Sequence, residues 1–197
     1  MKARPVPSLL VNIVQTALQV CDGVRFYPVG TCSACGGALS KYDERRKRFA
    51  LLIEDDMPRP VHVILQRSSC RSCGRISVPE DPFYPGTRIG SPVVDLCRSL
   101  SVYLPCTRVS SLIGRMGVRV DRWTVRNYAQ LPLPDNPAVD LFGMKIPLSV
   151  ITLSTLASSV DGPANPGMDE VLAACRYPSR PQGARTPPPG GDGAGGS

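Results

Sequence analysis

Near the start of the chain, Leu10, Ile13, Val14, Ala17, Leu18 and Cys21 fall on one helical face, with Asn12, Gln15 and Gln19 between them. Ser8 stands where a helix N-cap is expected. After Phe26 the pattern changes. The charged piece "KYDERRKRFALLIEDDMPRP" holds one apolar run, "RFALLI", and is followed by the β-rich run "VHVILQR". The turn-forming "DDMPRP" between the runs predicts a hairpin. The proline-rich "VPEDPFYPGTR" reads as an extended linker.

Three helices are predicted next. The first is "SPVVDLCRSLSVYL", with Ser91 as N-cap, Pro92 at the first helical position and Pro105 as its stop. The second is "TRVSSLIGRMG", with Val109, Leu112, Ile113 and Met116 on one face and Gly117 suited to a left-handed cap. The third, "DRWTVRNYAQL", is capped by Asp121 and stopped by Pro132. Farther on, "PLPDNP" marks a break, "IPLSVITLSTLA" fits a buried helix or strand, and "MDEVLAAC" fits a short helix. The final "PSRPQGARTPPPGGDGAGGS" has almost nothing to bury and is expected to be disordered.

The fold class is therefore α+β. Residues 1–29 form an N-terminal helix and lead-in, 30–80 a small two-knuckle hairpin unit, and 81–131 three helices. Residues 132–177 form a C-terminal helical segment and 178–197 a tail. A length of 197 residues allows one medium domain or two small ones. No stretch is long and apolar enough to span a membrane, and the N-terminal apolar run lacks a small-x-small cleavage site. A cytoplasmic protein is expected.

Charge narrows the partners. The formal net charge is +7, and residues 87–131 hold seven arginines (88, 98, 108, 115, 119, 122 and 126) against two aspartates (95 and 121). Arginine suits phosphate and guanine because its planar fork donates two parallel hydrogen bonds.

The cysteines carry the clearest chemistry. Cys32-Ser33-Ala34-Cys35-Gly36 and Cys70-Arg71-Ser72-Cys73-Gly74 repeat one pattern, with 34 residues between them. Each pair can form a knuckle whose two sulfurs face one point. The glycine after each pair permits the turn that brings amide hydrogens towards the sulfurs. Four thiolates complete tetrahedral zinc, so Cys32, Cys35, Cys70 and Cys73 are the expected Zn2+ ligands. Removal of the metal is then expected to unfold the protein. A redox pair would lie near a βαβ pattern, and a disulfide scaffold would need an exported chain. Cys21, Cys97, Cys106 and Cys175 lack metal spacing and read as buried free thiols. His62, the only histidine, reads as a strand residue rather than a ligand.

Beyond the knuckles, a helix, a glycine-containing turn and an Asp-capped, arginine-rich helix follow in the order of a helix-turn-helix. With Val125, Tyr128 and Ala129 turned inward, Arg122, Arg126, Asn127 and Gln130 turn outward. Arginine reads guanine, and Asn or Gln reads adenine, in the major groove. Thr124 is placed to reach a phosphate, Arg88 and Arg119 add backbone contacts, and Trp123 is assigned to the edge of the core.

The order "CSACGG…CRSCGR", then "DPFYPGTRIGSPVVDLC", then "GVRVDRWTVRNYA" resembles the N-terminal DNA-binding region of prokaryotic insertion-sequence transposases and of stand-alone archaeal derivatives. It covers roughly residues 30–131. The resemblance implies recognition of DNA ends or operators, with a zinc ribbon and with the helix after Asp121 as reader. It also implies a second copy or a transposase-type protein as partner. Transposases continue into a domain with three metal-binding carboxylates. Here Asp135, Asp140, Asp161, Asp169, Glu170 and Asp192 are expected on loops or tail, so no DNA cleavage or joining by this chain is expected. The leading expectation is a non-enzymatic protein that binds double-stranded DNA. A protein–protein adaptor built on the ribbon, and a thiol enzyme using Cys70 and Cys73, are the alternatives.

Overall fold

The computed structural model describes residues 5–135, 137–159 and 166–175. The tail read as disordered, Asp161 and Asp192 lie outside the described residues. Elements follow in the order α1 (Ser8–Gln19), β1 (Arg25–Phe26), β2 (Leu39–Glu54), β3 (Met57–Cys70), β4 (Ile76–Ser77), α2 (Ser91–Ser101), α3 (Cys106–Arg115), α4 (Arg122–Ala129), β5 (Ala138–Leu141), β6 (Met144–Pro147), α5 (Leu148–Ser159) and α6 (Met168–Cys175). The chain is mixed α+β, as its pattern indicates.

The hairpin is far longer than the two apolar runs suggest. β2 and β3 pair antiparallel from Leu39–Cys70 at one end to Glu54–Met57 at the other. Asp55 and Asp56, both left-handed, make the turn (φ 47° and 62°). The charged piece before the "RFALLI" run is also strand, and its charges are paired. Arg67 binds Asp43, Lys41 and Arg25 bind Glu44, and Lys47 lies 3.6 Å from Asp81. β1 joins β3 in parallel and β4 joins it antiparallel.

One half of this hairpin is core. Phe49, Leu52, Val61 and Val63 are fully buried, in one cluster with Leu10, Val14 and Leu18 of α1 and with Val93, Val94 and Leu100 of α2. Ile13 is only half-buried. Ser8 does not cap α1; Pro7 occupies the cap position and Ser8 begins the helix.

The segment read as a linker is packed. Phe83 meets Phe49 edge to face, with ring centroids 5.9 Å apart. The Thr87 hydroxyl donates to the Tyr84 carbonyl at 2.7 Å. The Tyr84 hydroxyl donates to buried Asp95 at 2.7 Å, and Ser149 of α5 donates to the other oxygen of Asp95 at 2.9 Å. Gly90, not Ser91, is the cap of α2. Its amide donates to the Phe49 carbonyl, and a Cβ there would lie 2.3 Å from the Phe49 ring. The chain therefore turns into the helix one residue early. Likewise α2 ends at Ser101, and Pro105 is the cap position of α3 rather than the stop of α2.

The joint between α3 and α4 is bound to the sheet. Gly117 is left-handed (φ 79°), as its position after Met116 suggested. Its carbonyl accepts from the Ile53 amide, and the Arg119 amide donates to the Leu51 carbonyl. Val118 thus extends the sheet beside Leu52. In the segment read as helical, β5 and β6 form a hairpin through Phe142 and Gly143, and "IPLSVITLSTLA" resolves into the end of β6 and the helix α5.

Candidate functional site

The far end of the hairpin brings Cys32, Cys35, Cys70 and Cys73 together. All four sulfurs lie within 4.8 Å of one another. The Sγ of Cys32 is 3.7 Å from that of Cys73, and the Sγ of Cys35 is 3.4 Å from that of Cys70. The knuckles are near copies. The Gly36 amide donates to the Cys32 carbonyl and the Gly74 amide to the Cys70 carbonyl, at 2.9 and 3.0 Å. Cys32 and Cys70 in turn donate their amides to the carbonyls of Gly37 and Arg75, both at 2.9 Å. Gly36 and Gly74 share the same φ of 71°, the left-handed turn that glycine permits.

Gly37 matters for another reason. A Cβ on it would lie 2.6 Å from the Ser72 hydroxyl and 2.9 Å from the Cys70 sulfur. Its bare Cα lets the first knuckle approach the second. Only the spacing after the first pair, where "CGG" carries an extra glycine, hints at this in the sequence.

The sulfurs sit in a field of amide hydrogens. Backbone donation from Cys73 and Ser72 pulls the Cys70 thiol down to about 6. Amides of Ala34 and Cys35 lower Cys32. Cys35 is lowered by the Gly37 amide, but the neighbouring sulfurs of Cys70 and Cys73 outweigh it and push the thiol up to about 12. Four thiols at these separations, one of them already acidic, form a donor set that can hold a metal ion.

The remaining cysteines behave otherwise. Cys21, Cys97 and Cys175 are buried free thiols, and burial raises each, Cys175 to about 12. Cys106 is free and half-buried. His62 lies in β3 outside the sulfur cluster, with its amide donating to Asp22.

A basic surface surrounds α4. Asp121 caps it, its carboxylate accepting from the amides of Trp123 and Thr124, both at 2.9 Å. The Thr124 hydroxyl also donates to Asp121 at 2.6 Å. These bonds, the Thr124 hydroxyl first, hold Asp121 below the usual carboxylate range. Val125 and Tyr128 are buried and Ala129 half-buried, whereas Arg122, Arg126, Asn127 and Gln130 are exposed. Arg88 and Arg119 are also exposed, and the Arg88 amide donates to the Tyr128 hydroxyl at 3.4 Å.

Two features were not anticipated. Trp123 is 58% exposed instead of packed at the core edge. The short α4 turns only Val125 and Tyr128 fully inward, and the indole beside the Asp121 cap projects between Arg122 and Arg126. Second, Arg48 of β2 joins Arg119 and Thr124 around one surface depression. The register of a long hairpin places Arg48 there, and a charge run in the sequence does not reveal it.

Comparison of the chain with protein-family models, with curated proteins and with solved structures finds no match. Among the described residues, no helix is long and apolar enough to cross a membrane.

Proposed function

We propose that this is a DNA-binding protein in which a zinc ion fixes the end of the long hairpin and α3–α4 serves as a helix-turn-helix. The observation that carries the reading is a set of uncommitted arginines around α4. Arg48, Arg88, Arg119, Arg122 and Arg126 form no ion pair with another described residue, whereas Arg25, Lys41, Arg45, Lys47, Arg59 and Arg67 all do. Arg46, Arg71, Arg75 and Arg108 also lack an ion pair among the described residues, but the five around α4 are the ones gathered at one capped helix, which presents them to an external polyanion.

Within this reading, α4 lies in the major groove. Arg126 donates its fork to guanine, and Asn127 and Gln130 address adenine. Arg48, Arg88 and Arg119 hold phosphates. The Thr124 hydroxyl already donates to Asp121, so phosphate contact there falls to the arginines. Zinc suits the sulfur cluster, since Zn–S bonds of about 2.3 Å place tetrahedral sulfurs about 3.8 Å apart. The convergence of both Cys-x-x-Cys pairs on one point favours metal holding over thiol catalysis. The likeness to transposase DNA-binding regions supports the same function.

The test is titration against duplex DNA at several salt concentrations, on a site selected from random sequence and on a scrambled control. Arg126→Ala is expected to cost about 1–3 kcal/mol on the selected site and to relax preference at one base pair. Arg48→Ala and Arg88→Ala are expected to weaken both duplexes alike and to reduce the salt slope by about one unit each. An adaptor has one observation in its favour: exposed Tyr27, Val29 and Val78 border a depression with Met168 and Leu172 near the knuckles. Absence of DNA binding at every salt concentration would leave the adaptor as the better reading.

A further inference from the structure

Trp123 is the single tryptophan of the chain and stands in the first turn of α4 with more than half its surface in water. An indole pairs an apolar ring with a polar N–H, which suits it to a wet surface that takes a flat partner. Its indole N–H has no hydrogen-bond partner among the described residues. The guanidinium carbon of Arg122 lies 5.1 Å from the ring centroid and that of Arg126 lies 6.0 Å away. The ring walls an open groove of about 470 Å³ between α4 and the start of α3, where Pro105, Cys106 and Thr107 form the other side. No carboxylate lines this groove. The Asp121 cap fixes the backbone from which the ring projects.

From this geometry we propose that the Trp123 groove receives an unpaired nucleobase of a DNA strand. The inference rests on the DNA-binding reading and deepens it. The guanidiniums of Arg122 and Arg126 lie over the ring at 5.1 and 6.0 Å, so a base stacks on the indole by displacing Arg122 towards the phosphate beside it, in a groove lined by no acid. A neutral peptide side chain would meet the apolar wall but leave the arginines without an anion, and an acidic one would supply the anion but no flat face for the indole. Inside a duplex both faces of every base are already stacked. The groove therefore selects DNA with a frayed end, a gap or a looped-out base, where one face is open. Arg122 then serves a phosphate of the strand that carries this base, while Arg126 keeps its guanine contact.

Two DNAs of the same sequence test it. One is a duplex closed at both ends by loops of abasic linker; the other carries one additional unpaired adenine in the stem. The expected result is about tenfold or tighter binding to the second, with quenching of Trp123 fluorescence on that DNA alone. Trp123→Ala is expected to lower affinity for the unpaired-base DNA about tenfold more than for the closed duplex, and Trp123→Phe to recover part of the difference. Because Trp123 is the only tryptophan, quenching in the unaltered protein reads the contact without any variant. Equal binding to both DNAs with no quenching would overturn the inference while leaving the DNA-binding reading intact. Failure to bind either DNA at low salt would overturn both.

Discussion

Asp121 shows how one side chain sets a surface. Its carboxylate accepts from Trp123, Thr124 and the Thr124 hydroxyl, so it fixes the first turn of α4. Asp121→Ala is expected to lower stability by about 1 kcal/mol at neutral pH, the usual cost of a lost N-cap. The folded pKa is depressed, so the ionised cap stabilises above the ordinary carboxylate range and is lost as pH falls through the depressed value. The difference between wild type and variant in thermal melts should therefore shrink below about pH 4. Three glycines carry a different kind of constraint. Gly37→Ala would drive a methyl group into Ser72 and Cys70 and should weaken metal binding about tenfold or more, measured by competition with a chelating dye. Gly36→Asn should bind metal nearly as well, since no atom crowds that position and asparagine tolerates its left-handed backbone. Gly90→Ala is expected to cost about 1–3 kcal/mol, because its methyl would enter the space of the Phe49 ring.

At the level of elements, what could be read from the chain was what is written locally. The apolar stripe of α1, the Asp121 cap, Gly117 after α3 and the paired Cys-x-x-Cys-Gly knuckles each lie within a few residues of one another. The rest depends on distant partners. The strand character of the charged stretch needs Arg67 opposite Asp43 and Arg25 beside Glu44, and neither pairing shows in a linear pattern. The "DPFYPG" segment has the proline content of a linker, yet Phe83 and Tyr84 find Phe49 and Asp95. Prolines fix the backbone but do not say whether the side chains between them are buried. That segment ties the hairpin to α2 and, through Asp95 and Ser149, to α5. Tyr84→Phe and Ser149→Ala should each cost about 1–3 kcal/mol by withdrawing a donor from a fully buried carboxylate. Because both donors serve one side chain, the double variant should depart from additivity by about 0.5 kcal/mol or more in denaturant unfolding. Strictly additive losses would mean that Asp95 is held by other groups.

Across the whole molecule the hairpin is a beam with two different supports. One half, around Phe49, Leu52, Val61 and Val63, is buried among helices, and the addition of Val118 beside Leu52 ties it to the α3–α4 joint. The other half ends in the sulfur cluster, where exposed charged residues flank the strands. Small metal modules commonly unfold outright without their ion, and the sequence alone suggested the same here. The packing argues for a divided response. Removing the metal, or converting Cys70 and Cys73 to Ser, is expected to release residues 30–45 and 66–78 while the core around α1 and α2 persists. Amide hydrogen exchange should then show lost protection at Cys32, Gly36, Cys70 and Gly74, whose amides bond within the knuckles. Protection should remain at Ile53 and Arg119, whose amides tie β2 to the α3–α4 joint. If the proposed DNA-binding function holds, it should follow the same division. Contacts from Arg122 and Arg126 on α4 should survive metal removal, because Asp121 and Val125 place that helix without help from the sulfurs. Loss of protection throughout the chain on chelation would show instead that the metal supports the core, and that the two ends of the hairpin fold as one unit.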